Sequence, residues 1–342
     1  MSGANALSVS LILTVKDEAD NIDDLMASIA GQTRPPDEVI VVDGGSTDGT
    51  VARLRAWEGR LPLRVIEALG VTISQGRNLA LSQATGDVVA VTDAGVRLDP
   101  AWLARLIEPF TRADEQPDVV SGFFRADPRT LFELALGVTT LPDEAEIDGT
   151  RFLPSSRSVA FRRSWYLAGI RYPEWLDYCE DLIFDLRLKR AGARFVFQPA
   201  AFVWFRPRPS ARAFWHQYFR YARGDGKAGL FARRHAARYL TYGVLVPLAV
   251  SGRWPRVTQA AAVGALWYMR QPWLRLWRRR RDLQPRDLAA AAALAPLLRF
   301  IGDVAKMAGY PVGLVWRARR YGLRATWRDI PEVSGSDGPA KL

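Results

Sequence analysis

The sequence predicts an α/β protein, in which a mainly parallel sheet is flanked by helices and followed by a helical C-terminal region. Three apolar runs indicate the sheet, and acidic or polar residues directly follow each of them. The runs cover residues 8–15, 39–42 and 87–92. Such runs are typical of parallel strands that are buried on both faces, and ligands bind beyond the carboxyl ends of these strands. We therefore expect the residues after the three runs to form one site.

The second run leads directly into Asp43, Gly44, Gly45 and Ser46. Glycine lets the backbone approach a ligand closely, and a serine can cap the helix that follows. Asp43 and Gly45 are therefore candidates for ligand contact. A tight strand-to-helix turn with a capping acid, without any ligand, has the same pattern.

Helices and further strands alternate along the first part of the chain. Helices are predicted over residues 22–30, 50–57, part of 70–84, 101–110 and from Glu180 to a stop at Gly192, and strands over 63–66, 118–124 and 193–197. Pro100 suits the first turn of the helix that follows it. Residues 125–155 fit a helix followed by a loop.

Charge divides the chain into two regions. Residues 206–342 hold 26 Lys and Arg against 7 Asp and Glu, a net charge of +19, whereas residues 1–205 hold 21 against 29, a net charge of −8. The single Cys179 excludes an internal disulfide. In the basic region the arginines alternate with apolar segments and tryptophans, which favours an anionic membrane surface over nucleic acid as the partner.

Two apolar segments of the basic region, residues 240–250 and 257–269, are shorter than the roughly 20 residues of a spanning helix. We predict that they form a shallow helical hairpin, followed by an amphipathic helix over residues 287–307. The flanking arginine clusters indicate the cytoplasmic face of the cell membrane. An ordinary soluble helical domain is the alternative.

Four motifs in a fixed order resemble family 2 of the glycosyltransferases. They are Thr14 to Glu18, Val42 to Thr50, Ser74 to Asn78 and Asp93 to Gly95. The resemblance implies the GT-A fold. We assign residues 1–229 to this catalytic domain, 230–330 to a membrane-associating helical region and 331–342 to a flexible tail.

The resemblance also implies roles for individual residues. A nucleotide-sugar donor would be bound by Thr14, Glu18, Asp43, Gly45, Arg77 and Asp93. The family's second acidic motif matches Glu180-Asp181, in which Asp181 is the expected general base for the acceptor hydroxyl and Glu180 its neighbour. Without the resemblance, the alternative is that these two acids only complement the dipole of the helix whose first turn they occupy.

A further element, at Gln217, Arg220 and Tyr221, is similar to the family's Gln-x-x-Arg-Trp motif, with Tyr221 where tryptophan is usual. The resemblance implies contacts with the diphosphate and the acceptor. An amphipathic aromatic helix on the domain surface is the alternative.

One departure from the family concerns the metal. Family members hold a divalent cation with Asp-x-Asp, and here Gly95 replaces the second acid. Asp93 is then the one acid left in this motif that could bind Mg²⁺ or Mn²⁺. Either Asp93 and the donor phosphates hold the ion together, or arginines meet part of the phosphate charge. The arginines considered are Arg206, Arg208, Arg220 and Arg223.

We therefore predict a glycosyltransferase that moves a sugar from a nucleotide-diphospho-sugar to a hydroxyl, with the inversion that the family implies. The acceptor class is a glycan, a lipid-linked sugar or a small molecule, in cell-envelope glycan or glycolipid synthesis. A nucleotidyltransferase is one alternative, but it would carry a basic glycine-rich loop where this chain has Lys16-Asp17-Glu18. A non-catalytic membrane scaffold is the other, and the retained Glu180-Asp181 argues against it.

Overall fold

The computed structural model describes residues 7–331. These residues form two compact units, of which the first comprises residues 7–125 and 144–205 and the second comprises 126–143 and 206–331. The division at residue 205 differs from the domain boundary that we predicted at residue 229. The predicted tail lies, apart from Pro331, outside the described residues.

Within residues 7–331, the strands form one eight-stranded sheet. In spatial order they are β3 (Leu63–Glu67), β2 (Glu38–Asp43), β1 (Val9–Val15), β4 (Val88–Val91), β7 (Val159–Arg162), β6 (Val119–Ala126), β8 (Phe195–Phe205) and β5 (Val96–Leu98). The first four are parallel, whereas β7 is antiparallel to both β4 and β6, and β5 to β8. This mixed, partly parallel sheet confirms the predicted α/β class.

The helices, in chain order, are α1 (Ile22–Ala30), α2 (Thr50–Arg55), α3 (Ile73–Gln83), α4 (Trp102–Thr111), α5 (Leu131–Thr140), α6 (Ser164–Leu167), α7 (Glu180–Arg190), α8 (Ala211–Ala228), α9 (Ala232–Leu240), α10 (Val246–Val250), α11 (Pro255–Arg278) and α12 (Pro285–Tyr321). Helix α5 and helices α8 to α12 belong to the second unit. The other helices pack on the sheet around two apolar clusters.

Strand register places the expected site residues at one edge of the sheet. Thr14 pairs with Val42 and Val15 pairs with Asp43, while Ile12 of β1 lies beside Val91 of β4. The carboxyl ends of these parallel strands therefore meet, as the three apolar runs predicted.

Three strands differ from the sequence expectation, and one of them, β8, continues to Phe205 instead of ending at the predicted residue 197. Residues 96–98, which we expected only to lead into the next helix, form β5, because Val96 pairs with Phe205 of β8. Strand β7 was not predicted at all. Its four residues are too few for a local signal, and β4 and β6 on either side hold it in the sheet.

In the second unit, α8 and α12 approach each other closely through glycines. A Cβ on Gly226 would lie 2.4 Å from the carbonyl oxygen of Tyr310, and one on Gly313 would lie 2.1 Å from that of Arg223. Backbones approach this closely only where residues are small. This packing explains why α8 belongs to the second unit. It also supports α12 beyond residue 307, where we expected it to end, as far as Tyr321.

The two apolar segments form helices joined by a turn, as predicted. Helix α9 continues through a π-helical turn (Thr241–Leu245) into α10, and the Thr258 hydroxyl of α11 donates to the carbonyl of Ala249 at 2.8 Å. Among the described residues, α12 alone is long and apolar enough to cross a membrane, a test that the core helix of a soluble protein also passes.

Candidate active site

Asp43 shapes the loop that follows β2. Its Oδ2 accepts hydrogen bonds from the backbone N–H groups of Gly45 and Ser46, both at 2.9 Å, and its Oδ1 accepts one from the Ser46 hydroxyl. Gly45 has a φ of +92°, and a Cβ there would lie 2.6 Å from Leu69. Because the Leu69 atom is the exposed end of a flexible side chain, it is the positive φ that favours glycine at this position. The nucleoside contact expected of Asp43 stays a prediction.

The loop after β1 is tied to the same turn. The backbone N–H of Asp17 donates to the Ser46 hydroxyl at 2.8 Å, and that of Glu18 donates to the Thr50 hydroxyl at 2.9 Å. Asp17 itself has a φ of 52°, which is uncommon for a residue other than glycine. The loops that carry Glu18 and Asp43, two expected nucleotide contacts, are thus hydrogen-bonded to one another.

Close packing of α3 against the sheet directs Arg77 inward. A Cβ on Gly76 would lie 2.8 Å from the Thr14 methyl group, so only glycine lets the helix come this near. The Arg77 side chain is buried, and its guanidinium donates to Glu180 Oε1 at 2.6 Å and to Asp93 Oδ1 at 2.8 Å. One buried cation thereby joins three separate sequence motifs.

Three acids lie along α7 beside this cation. The pKa of Glu180 is raised to about 7, chiefly by burial and also by the charge of Asp181, while the charge of Arg77 opposes both effects. Asp181 is only partly buried. One turn later, burial and the charge of Asp181 raise the pKa of the Asp185 carboxyl well above its ordinary value. Within the described chain, Asp185 Oδ2 is buried without a hydrogen-bond partner.

The backbone turn into α7 is strained. Cys179, immediately before Glu180, has a φ of 65°, a left-handed conformation that costs a residue with a side chain about 1 kcal/mol or more. This conformation sets the direction in which Glu180 and Asp181 leave the preceding loop. The carboxylate of Glu180 is bonded to Arg77. Glu180 therefore does more than complement the helix dipole, which was the alternative that we considered for these acids.

These acids predict an unusual pH dependence of stability. A raised pKa means that the folded state keeps a proton that the unfolded chain has already lost, so stability falls as pH rises from the unfolded pKa through the folded one. For Glu180 this window runs from 4.5 to about 7. Asp185→Asn removes the contribution of Asp185, and its melting temperature should fall less than that of the wild type as pH rises above 3.8, the ordinary pKa of this carboxyl.

Thermal unfolding across this pH range provides the measurement. Asp24→Asn, at an exposed position of α1, is the matched control and should follow the wild-type curve. Parallel curves for Asp185→Asn and the wild type would show that Asp185 ionises normally in the folded protein.

Sequence reasoning missed several residues that build this site. The Asn78 side chain donates to the carbonyl of Tyr172 and accepts from its N–H, both at 2.9 Å. The Tyr172 ring stacks on Phe184 of α7, with 4.2 Å between centroids. Arg157 lies before β7, with its Nε 3.9 Å from Asp93 Oδ2. No signal in the sequence pointed to Arg157, because β7 was not predicted.

The residues present do not fit a divalent cation held by the protein. The two carboxylate oxygens of Asp93 face Arg77 and Arg157, respectively. Among residues 7–331, no group of three or more His, Cys, Asp or Glu side chains could hold a metal ion. A Cβ on Gly95 would meet no described atom within 4 Å, so the place of the absent second acid is open.

The Gln217 motif lies on α8 in the second unit. The Gln217 amide donates to the Tyr221 hydroxyl at 2.9 Å, and Arg220 is exposed. Of the arginines that we considered for the phosphates, Arg206 is bonded to Glu133 at 2.7 and 3.0 Å. The contacts expected of Gln217, Arg220 and Tyr221 with diphosphate and acceptor stay predictions.

Residues 10–166 match the family model described as glycosyl transferase family 2. A validoxylamine A glucosyltransferase of Streptomyces hygroscopicus subsp. limoneus is 27% identical over 125 residues, which are 35% of this chain and 28% of that protein. Glycosyltransferase AglE of Haloferax volcanii is 34% identical over 103 residues, 28% of this chain and 33% of that protein. The matches thus span about a third of each relative or less.

Among solved structures, the chain is similar to the mannosyltransferase PcManGT from Pyrobaculum calidifontis, solved in complex with GDP-Man and Mn²⁺. The two are 20% identical, the TM-score is 0.55, and the match covers 91% of this chain and 87% of that one. At this identity the similarity concerns the fold alone. It confirms the predicted GT-A class, a mixed α/β sheet with flanking helices.

Proposed function

We propose that this protein is an inverting glycosyltransferase that moves a sugar from a nucleotide-diphospho-sugar to an acceptor hydroxyl. The observation that carries the proposal is the buried Arg77, which bonds both Glu180 and Asp93 at the ligand edge of the sheet. The names of the relatives agree with sugar transfer. A donor of this class also fits the GDP-Man bound to the mannosyltransferase of similar fold.

In this mechanism Asp181 is the general base. Glu180 is engaged by Arg77, whereas Asp181 is the less buried of the two acids. As the acceptor oxygen attacks the anomeric carbon, its proton passes to the Asp181 carboxylate. The bond from that carbon to the diphosphate breaks on the opposite side, and its electron pair stays with the departing phosphate oxygen. The sugar therefore leaves with inverted configuration.

A donor screen tests the proposal. Nucleotide-sugars with different bases and sugars are compared for their effect on the melting temperature, and the stabilising ones are then assayed for release of nucleoside diphosphate with added acceptors. We expect stabilisation by one nucleotide class and acceptor-dependent release. Pyrophosphate release from a nucleoside triphosphate and a sugar phosphate would instead indicate a nucleotidyltransferase. Binding to no nucleotide at all would leave the scaffold alternative.

We further propose that the second unit attaches the enzyme to the cytoplasmic face of the cell membrane. Val250 and Trp267 are 81% and 66% exposed, and Leu248, Val263 and Leu266 are exposed nearby. Large exposed apolar surfaces mark interaction sites, and here arginines border them. The border includes Arg253, Arg256 and Arg270. A bilayer that contains anionic lipid complements both the apolar surface and the arginines. A position at the cell membrane in turn favours an acceptor of cell-envelope glycan or glycolipid synthesis.

Replacing Leu266 and Trp267 together with glutamate should weaken membrane binding by about a hundredfold or more, because each buried apolar side chain contributes about 1.5–3 kcal/mol. Flotation with vesicles of phosphatidylcholine and phosphatidylglycerol gives the measurement. Added salt should weaken wild-type binding without abolishing it. Gln259→Glu, at an exposed position of the same helix, is the control for added negative charge.

Two results would contradict membrane attachment: a wild-type protein that does not float, and a double variant that floats as well as the wild type. Truncation near Gly229 is not a suitable test, because it would remove α12 from the glycine-lined face of α8.

A further inference from the structure

Asp93 stands between two guanidinium groups. Arg77 Nη2 lies 2.8 Å from one carboxylate oxygen, and Arg157 Nε lies 3.9 Å from the other. A divalent cation placed on Asp93 would be repelled by both positive charges. The positive charge that a metal ion would place beside Asp93 is thus already supplied by Arg77 and Arg157.

The sheet fixes the position of Arg157. Val91 of β4 pairs with Val159 of β7 in antiparallel register, so two residues after Val91 and two residues before Val159 the register brings Asp93 opposite Arg157. The Thr92 hydroxyl donates to the carbonyl of Arg157 at 3.0 Å, which holds the two segments together. Arg157 therefore reaches the ligand edge from the segment before β7, an antiparallel strand. The donor contacts that we expected in this unit lie instead at the ends of parallel strands, in the loops after them or on α3.

The side chain of Arg157 is also held in place. Its guanidinium lies 4.3 Å from the centroid of the Phe205 ring, and its Nη1 donates to the Ser155 hydroxyl at 3.0 Å. The side chain is 18% exposed, so part of it reaches solvent. A guanidinium stacked in this way loses little conformational entropy when it binds an anion.

The space at Gly95, two residues after Asp93, is open. The Gly95 position is exposed, and no described atom lies within 4 Å of a Cβ placed there. A departing diphosphate gains negative charge in the transition state, and preorganised donors next to that charge lower the barrier. Arginine matches phosphate with a fork of two parallel N–H donors.

We propose that Arg157 is a catalytic residue that binds the donor's diphosphate beside Asp93, so that transfer proceeds without a divalent cation. The proposal rests on the glycosyltransferase function proposed above. When the bond to the anomeric carbon breaks, the electron pair moves onto the diphosphate oxygen and the guanidinium donates hydrogen bonds to it without losing a proton. Asp93 acts as the positioning residue for Arg157, in contrast to the metal-ligand role that the resemblance implies.

Calorimetric titration with UDP and with GDP, in EDTA and in Mn²⁺, tests the proposal. The wild type should bind one of the two with the same affinity in both buffers. Arg157→Ala should weaken that binding about tenfold or more, and Arg157→Lys should restore part of it. Turnover of the donor identified in the screen should fall about 10²-fold or more in Arg157→Ala. The control is Arg151→Ala, at an 86% exposed side chain, and it should bind like the wild type.

Gly95→Asp/Arg157→Ala provides the reverse test, because it supplies the second acid and removes one of the two competing guanidinium groups. This double variant should bind the nucleotide well in Mn²⁺ and poorly in EDTA. Wild-type binding that is lost in EDTA and restored by Mn²⁺ would overturn the proposal, as would unchanged binding by a folded Arg157→Ala. Wild-type protein that binds no nucleoside diphosphate or nucleotide-sugar would instead overturn the proposed function itself.

Discussion

Asp181→Asn should lower kcat by about 10²- to 10⁴-fold while donor affinity stays within a few-fold of the wild type. The amide cannot accept the acceptor's proton, but it has nearly the same size and position as the carboxylate. Donor binding should persist because Glu180 keeps its bond to Arg77, and that bond does not involve Asp181. Steady-state kinetics and titration with the donor measure the two effects separately.

Asp177→Asn is the matched control, since Asp177 belongs to the same acidic segment just before α7. It should keep most of the wild-type turnover. If Asp177→Asn or Glu180→Gln loses turnover and Asp181→Asn does not, the base has been assigned to the wrong acid. A variant of Asp181 that loses donor affinity in proportion to kcat would indicate a binding role instead.

Arg77→Met should lower the free energy of unfolding by about 3–5 kcal/mol, because it leaves buried acids without their cation. Burial alone would lower the pKa of the Arg77 guanidinium, but the charges of Glu180 and Asp93 raise it, so the group is charged in the folded protein. Methionine keeps the volume of the alkyl stem and removes the charge. Chemical denaturation near neutral pH gives the measurement.

The double variant Arg77→Met/Glu180→Gln should recover a substantial part of this loss, because the more buried of the two acids bonded to Arg77 is then neutral. The exposed pair of Arg53 with Asp23, at 2.7 Å, supplies the control. Arg53→Met should cost less than about 1 kcal/mol, since both groups remain solvated. A similarly small loss in Arg77→Met would mean that solvent reaches the Arg77 cluster.

Local patterns were sufficient for most elements of the first unit. Helix α1 has the predicted bounds, since its apolar spacing and the residues at both ends are local properties of the chain. Strand β2 and the turn at Asp43 were predicted for the same reason. In the second unit, the turn between α10 and α11 lies where a polar break separates two apolar segments.

The sequence alone determined the order of most strands and helices of the first unit, the acidic and basic regions, and the identity of Arg77, Asp93, Glu180 and Asp181 as candidates. Only the tertiary structure decided how they combine. Arg77 joins acids that are 16 and 103 positions away, and no local pattern encodes such a pairing. Arg157 reaches Asp93 because two antiparallel strands share a register, which depends on non-local hydrogen bonds.

The place of α8 was likewise decided by packing. Its sequence marks an aromatic, amphipathic helix that could close either the first unit or the second. The glycines of α8 and α12 become informative only when the two backbones meet, because a missing Cβ has its effect at the point of closest approach. Sequence periodicity indicates which face of a helix is apolar. Which helix packs against that face depends on whether the two surfaces fit together.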